Sequence, residues 1–422
     1  MSFTQKLALL FSDAGLRNRL LFVIGALAIF RVFAVIPIPG VNAAQLQLFL
    51  QGNQFFGLLN LFSGGGLSSL SIMMLGVGPY ITASIVMQLL TMMIPRFKQL
   101  YQEEGEIGRK KFSQYSRLLT LPIAIIQGFS LLILLERQGI MPDLSPLSFA
   151  INLIVVTAGS VLLMWIGELI SEYGLGNGVS IVIFAGIVAR LPQDIAQALF
   201  TFDAAQIPVY LGFIAAALLV TAAVVAITEA ERPVPVTYAK RVRGMKFFGG
   251  SSTYLPLRLN QAGVIPIIFA LSFLLLPQMF ATFFASSTIG ALSAVSGFIL
   301  GVLNNLPVYG MLYFLLVFLF TYFYTAVTFD PHQIAENLQK NGAFIPGVRP
   351  GGSTTEYLGR VITRITFVGA LFLGVIAVLP IIMQSVTGIQ TLALGGTALL
   401  IVVSVILDLA RRIDAQLSIR EY

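Results

Sequence analysis

Apolar residues fall along this chain in blocks close to 20 residues long rather than at amphipathic spacing, the pattern of helices that cross a bilayer. Ten spans can be read, at roughly 20–38, 73–94, 117–135, 150–170, 178–198, 208–228, 262–285, 307–328, 361–383 and 391–409. The fifth is the least regular, because Arg190, Pro192 and Asp194 interrupt its far end. An even number of spans returns both termini to the same side. One stretch breaks the pattern. Val32 to Pro95 contains no Lys, Arg, Asp or Glu, yet its middle reads LFSGGGLSSLSI, Leu61 to Ile72. Three consecutive glycines and four serines are poor material for a spanning helix, and the flanking apolar residues are poor material for a wet loop.

Composition agrees with the span count. The chain has 422 residues, 57% hydrophobic and 10% charged, with a mean hydropathy of +0.90. A soluble fold of that size has nowhere to hide so much apolar surface. The start, MSFTQKLALLFSDAGLRNR, has only a short apolar patch followed by Asp13, Arg17 and Arg19, and does not read as a cleavable signal peptide. With no cysteine, disulfides, thiolate metal sites and cysteine catalysis are excluded.

Charge sets the orientation. With Arg117 and Arg364, at the edges of their spans, counted with the adjoining connections, all but three of the 25 Lys and Arg fall on the N-tail, the connections after even-numbered spans, and the C-tail. Arg137 and Arg190 lie on the opposite face, and Arg31 lies within the first span. The positive-inside rule then predicts both termini in the cytoplasm. The net charge of +7 is a by-product of that asymmetry and requires no nucleic-acid partner.

Ten spans divide into two sets of five at the connection ending near Gln206, giving halves at 1–200 and 207–422. Five is odd, so the second half enters the membrane from the other side, and inverted halves place a pathway at their interface. Span parity is equally compatible with ten helices lacking internal symmetry. Two cytoplasmic connections, 229–260 and 329–360, are longer than linking helices requires and mix basic residues with Gly, Pro and aromatics. Alternation around RVRG and FFGG in the first predicts a β-hairpin-like finger. Both loops are candidate docking surfaces.

Missing chemistry narrows the function. His332 is the single histidine, and HExxH, GxSxG, paired intramembrane aspartates and a GxxxxGK[ST] phosphate loop are all absent. No cofactor, metal or catalytic residue is expected, and the chain has no nucleotide site of its own. Ionisable residues within spans are few: Arg31 deep in the first, with Glu168 and Asp408 near cytoplasmic ends. An ion-coupled solute transporter ordinarily carries more near the midplane, but it remains the alternative reading from another class. Arg31 requires a polar partner or a hydrated position, as a structural tie or a substrate contact. Ile81 and Ile85 in the second span, and Ile183 and Ile187 in the fifth, recur at i, i+4; a ring of such residues closes a pore by dewetting.

The succession NLFSGGGLSSLSI…GVGPYITASIVMQLL, EGEIGRKKFSQYSRLLTL and WIGELISEYGLGNGVSIVIFAGIVA closely resembles the bacterial SecY family of protein-translocation channels. VTYAKRVRG, YLPLRLNQAGVIPIIFA, FTYFYTAVTFDPHQIAENLQKNGAFIPGVRPG and GGTALLIVVSVILD extend the resemblance, in the family's order, over nearly the whole chain.

The resemblance implies an all-α polytopic membrane protein of the bacterial plasma membrane. Its ten helices would form two inverted five-helix halves, a clamshell around an hourglass pore. It implies a passive channel that passes preproteins across the membrane and releases membrane-protein helices sideways into the lipid bilayer. The implied pore ring is Ile81, Ile85, Ile183, Ile187, Ile268 and Ile401. The implied plug covers about 57–72, with Phe62, Ser63, Gly64, Gly65, Gly66, Leu67, Ser68 and Ser69 at its centre, expected as a short, loosely packed helix with weak contacts. The lateral gate would lie between spans 2–3 and 7–8, with Thr82, Gln88 and Asn260 placed to bond across it. Lys240, Arg241, Arg243, Lys246 and Arg349 would dock the motor ATPase SecA or the ribosome, although the finger reads RGMKFFGG where relatives often place adjacent basic residues. SecE, SecG, signal peptides and nascent chains complete the implied partners.

Overall fold

The computed structural model describes residues 13–39, 60, 63–102, 104–137, 139–142, 144–200, 207–238, 241–243, 246–248, 252–285, 290–387 and 390–420. In chain order, the helices of the first half are α1 (Ala14–Phe33), α2 (Gly78–Met93), α3 (Pro95–Gln102), α4 (Gly105–Arg137), α5 (Pro146–Tyr173) and α6 (Gly178–Phe200). Then come α7 (Ile207–Glu229) and strands β1 (Glu231–Tyr238), β2 (Arg241–Arg243), β3 (Lys246–Phe248) and β4 (Ser252–Arg258). The chain continues with α8 (Ile265–Phe284), α9 (Gly290–Asn304), α10 (Leu306–Thr328), α11 (Pro331–Lys340), β5 (Ala343–Phe344), α12 (Gly352–Thr387) and α13 (Gln390–Arg420).

Each of the ten predicted spans falls on a helix: α1, α2, α4, α5, α6, α7, α8, α10, α12 and α13. Among the described residues, five stretches are by length and composition alone fit to cross a membrane: Gly105–Arg137, Pro146–Tyr173, Ile265–Phe284, Leu306–Lys340 and Gly352–Met383. Gly78–Met93 with Pro95–Tyr101 makes a sixth, bent by 113°. The bend has a local cause. Pro95 forces the residue before it out of the helical region, and Ile94 sits at φ −120°, ψ 112°.

Helix ends depart from the predicted spans where helix and bilayer stop coinciding. α4 begins at Gly105, α12 at Gly352, and α13 runs to Arg420, so these helices continue through polar residues beyond the apolar block, in α13 through the good helix formers Arg411, Arg412, Ala415 and Gln416. The first span was read to 38 but α1 stops at Phe33, and the second was read from 73 but α2 starts at Gly78. The residues between belong to an irregular segment treated below.

The predicted finger is present. β1 pairs antiparallel with β4 in the register Val234↔Leu255 and Val236↔Thr253, and β2 with β3 in the register Arg241↔Phe248. β5 joins β1 on the other side, giving the order β4-β1-β5. Val234, Val236 and Leu257 of this sheet bury with Ile345, Leu358 and Ile362 in a small core of their own. Within the helices, one continuous apolar cluster links α1, α2, α4, α5, α6, α8, α10, α12 and α13. Leu118, Ile154 and Leu218 are among the large apolar side chains left exposed on the helical surface, as expected where lipid rather than water is the solvent.

Candidate pore constriction and its seal

The six isoleucines come from four helices: Ile81 and Ile85 from α2, Ile183 and Ile187 from α6, Ile268 from α8 and Ile401 from α13. All are buried, none more than 4% exposed, and all belong to the same continuous cluster. That cluster also contains Leu67 and Leu70 from the small-residue segment and Met73 and Met74 directly after it, each fully buried. Between lipid-solvated helices such a closure gains dispersion contacts rather than water-transfer energy, so it can open at modest cost.

Phe62 lies outside the described residues. From Ser63 to Val77 the chain is a succession of turns, not the short helix expected from its composition. Gly64 and Gly65 take φ +63° and +87°, conformations that side-chain-bearing residues rarely adopt, and Leu70 is forced to φ 42°. Irregular backbone at membrane depth must satisfy its polar groups without water. The four serines do this. Ser63 Oγ donates to the Asn60 carbonyl at 3.1 Å and accepts from the Leu67 amide at 3.0 Å. Ser68 Oγ donates to the Gly65 carbonyl at 2.7 Å, Ser69 Oγ to the Ala34 carbonyl at 2.8 Å, and Ser71 Oγ accepts from the Met73 amide at 3.2 Å. The end of the first apolar block pairs with the segment as well. Ile38 N donates to Leu70 O at 2.9 Å and Ile72 N to Ile36 O at 3.0 Å, around an isolated bridge between Pro37 and Ser71.

The segment is also closely seated, against the expectation of loose packing. A Cβ on Gly186 of α6 would lie 2.2 Å from Gly64 Cα, and one on Gly159 of α5 would lie 1.9 Å from the Ile72 carbonyl oxygen. A Cβ on Gly64 would lie 2.4 Å from Phe30 Cζ of α1. Ser160 Oγ donates to the Gly76 carbonyl at 3.0 Å. These seats come from small residues in two spans, α5 and α6, together with the Phe30 ring of α1, a signal the sequence carries only as glycines in otherwise bulky blocks.

Arg31 finds its polar partner here. Its Nη1 donates to the Gly64 carbonyl at 3.0 Å, tying α1 to the tightest point of the segment. The Arg190 methylenes reach 3.4 and 3.5 Å from the position of a Cβ on Gly65. Glu168 is a structural tie of a different kind. Its Oε1 accepts from Arg117 Nε of α4 at 2.8 Å and from Ser113 Oγ at 3.3 Å, and its Oε2 stands 2.7 Å from the same Nε as an ion pair. The Tyr80 hydroxyl of α2 donates to Oε1 at 3.4 Å, so three helices meet at one carboxylate.

α8 packs against both α2 and α4 along a seam. Thr82 is buried on α2. The expected bonds across the seam are not made by the other two residues. Asn260 Nδ2 donates to Gly263 O at 3.2 Å within its own turn, while Asn260 Oδ1 and Gln88 Oε1 are buried without a partner. The turn before α8 supplies a carbonyl within reach of the Asn260 amide, and an unpaired buried acceptor costs about 1–3 kcal/mol.

Lys240 lies outside the described residues, and only the backbone of Arg241, Arg243 and Lys246 is described, in the β2–β3 hairpin. Arg349 is exposed. Its carbonyl accepts from Thr354 Oγ1 at 2.9 Å, between turns at Gly347 and Gly351 that take φ +82° and +96°. Among the described residues, no group of three or more His, Asp or Glu is placed to hold a metal ion.

Comparison with known proteins gives this arrangement its family. The SecY family model matches residues 71–410. The protein translocase subunit SecY of Thermus thermophilus is 44% identical over 418 residues, covering 96% of this chain and 94% of the relative. That of Mycobacterium leprae is 43% identical over 427 residues, 96% of each. Among solved structures, a protein-conducting channel superposes with a TM-score of 0.65 at 18% identity, over 95% of this chain and 92% of its own. A SecY channel whose plug domain is described as stabilising the closed state gives 0.67 at 20% identity, over the same shares. These structural likenesses carry the fold, and the sequence relatives carry the family. The chain belongs to the SecY family, the channel subunits of protein translocases, and is not an enzyme.

Proposed function

We propose that the six isoleucines are the constriction through which unfolded preproteins pass, and that Ser63 to Ile72 is the plug that closes it. The observation that carries this reading is the union of the six side chains with Leu67 and Leu70 in one buried cluster, while the segment that supplies those two residues is a chain of turns held by replaceable hydrogen bonds. Aliphatic side chains from four helices can close on one another or fit around a passing chain of any sequence without binding it. The seam between α2/α4 and α8/α10 is the lateral gate through which membrane-protein helices leave. The halves at 1–200 and 207–422 are the two shells of the clamshell.

The membrane is the bacterial plasma membrane, with both termini in the cytoplasm, as the charge asymmetry supports. The driving force comes from SecA or from a translating ribosome pushing on the cytoplasmic loops. SecE and SecG are its small membrane partners. Ribosome docking is supported by two neighbours of the same fold. Sec61 from a canine ribosome–channel complex has a TM-score of 0.63, and the yeast Ssh1 complex bound to the 80S ribosome has 0.58.

The test is a stalled preprotein carrying a photo-crosslinker, in vesicles containing the chain with SecE and SecG, plus SecA and ATP. Crosslinks are expected at positions 81, 85, 183, 187, 268 and 401. Crosslinks confined to lipid-facing positions such as Leu118 or Ile154 would overturn the pore assignment.

A further inference from the structure

Two residues with no part in the proposed ring, plug or docking loops meet across the seam. Arg137 is the last residue of α4, and its Nη1 donates to the Phe283 carbonyl of α8 at 3.4 Å. That carbonyl belongs to the last turn of α8, which ends at Phe284, where the final four carbonyls lack intrahelical donors. One guanidinium therefore stands at the C-terminal ends of two helices on opposite sides of the seam. Both ends carry partial negative charge, so a cation there stabilises their juxtaposition. A second contact crosses at the same level. The rings of Phe129 (α4) and Phe283 (α8) lie 5.9 Å apart, and Phe129 is backed by Phe149 of α5 at 5.5 Å in a T-shaped arrangement. The other end of the seam is the opposite in character, with the acceptors of Gln88 and Asn260 buried and unpaired.

We propose that Arg137, with the Phe129–Phe283 contact, is a latch on the lateral gate at the face opposite the basic loops, and that it sets how apolar a signal segment must be to open the gate. This rests on the reading of the α2/α4–α8 seam as the lateral gate. An entering apolar helix must separate α4 from α8, and so must break the guanidinium–carbonyl bond and the ring contact before its own packing replaces them. A weakly apolar segment gains less from that replacement, so removing the latch helps it most. Because Arg137 is exposed, its share of the latch weakens as salt rises.

The experiment uses the full chain with its small partners in vesicles, SecA and ATP, and preproteins whose signal segments form a graded leucine series. Arg137→Gln is expected to raise the transport of weak-signal relative to strong-signal preproteins by about two- to fivefold. Phe129→Ala is expected to act in the same direction, and Arg137→Lys to keep most of the wild-type discrimination. Rising salt should erode discrimination in the wild type and leave Arg137→Gln unmoved. An unchanged ratio in both Arg137→Gln and Phe129→Ala overturns the latch. Crosslinking of the signal segment to α2 and α8 separates the two readings: contact with an unchanged ratio refutes the latch alone, whereas its absence in the wild type removes the gate on which the latch depends. Loss of discrimination in Arg137→Lys equal to that in Arg137→Gln would also refute it, since the lysine keeps the charge.

Discussion

Gly186→Ala tests the seal without altering any side chain of the constriction. The substitution lies inside α6, where alanine favours the helix by about 0.5–1 kcal/mol over glycine. Its new methyl would nevertheless stand 2.2 Å from Gly64 Cα, 3.2 Å from Gly64 N and 3.3 Å from Gly64 C. All three are backbone atoms, so no rotamer change relieves the contact. Gly64 must withdraw by about 1.2 Å to reach ordinary contact at 3.4 Å. A retreat of that size forfeits much of the dispersion energy along the seat and stretches the 3.0 Å bond from Arg31. Overpacking of this kind costs about 1–3 kcal/mol, and on the proposed plug reading the closed state alone bears it, because opening takes the segment away from α6. The population with the plug displaced should rise roughly 5- to 150-fold. Ion leak through resting channels in planar bilayers measures this directly, while thermal unfolding in detergent should show α6 no less stable. Gly212→Ala on α7, where nothing lies within 4 Å of the added methyl, is the matched control and should not leak. A Gly186→Ala channel that folds normally and rests as tight as the control would refute the reasoning, since the closed path would then not depend on this seat.

Arg31→Met should also raise resting leak, by about tenfold, because a charged hydrogen bond to the Gly64 carbonyl is lost while the ring is untouched; unchanged iodide flux into vesicles would count against it. Ile401→Asn should hydrate the constriction and raise ion conductance while transport continues, and equal conductance would remove Ile401 from the ring. Glu168→Gln should lower stability by only about 1 kcal/mol, read as a small fall in the detergent unfolding temperature. Arg117 is 46% exposed and the ion pair is correspondingly screened. A loss of several kcal/mol would mean that the three-helix tie does more than the geometry allows.

Much of the fold was legible because crossing a bilayer constrains composition block by block. All ten apolar blocks lie on helices, and the alternation around RVRG and FFGG became the β2–β3 hairpin. Boundaries erred where the physical signal changed. α4 runs on through GEIGRKK, beyond the apolar block, and α2 begins late because Leu70 to Val77 are apolar but not helical. The six isoleucines, expected as a pore ring, are all buried and share one apolar cluster. Their residue type and spacing suited a dry constriction, though i, i+4 pairs alone would have fitted any helix core. The gate residues fared worse. Asn260 was expected to reach across the seam and instead bonds within its own turn, a choice of acceptor that depends on placement and not on residue type.

What the sequence determined by itself is what depends on one residue's preference for its surroundings. That includes which blocks enter lipid, which face carries the basic loops, which chemistry is absent, and that LFSGGGLSSLSI is neither a span nor a wet loop. What only the tertiary structure decided depends on pairs of residues far apart in the chain. The SGGG turn is tight and not loose because the Gly186 backbone of α6 and the Phe30 ring of α1 close on Gly64, while Gly159 of α5 seats the chain further on at Ile72. Its serines hold the turn because most of its backbone is buried and must find partners within the protein. Arg31 is tolerated because one carbonyl in that turn points at it. Composition reports that a segment is small and polar. Whether it is mobile or clamped depends on what stands a few ångströms away, and hydropathy, as a property of single residues, carries no record of that.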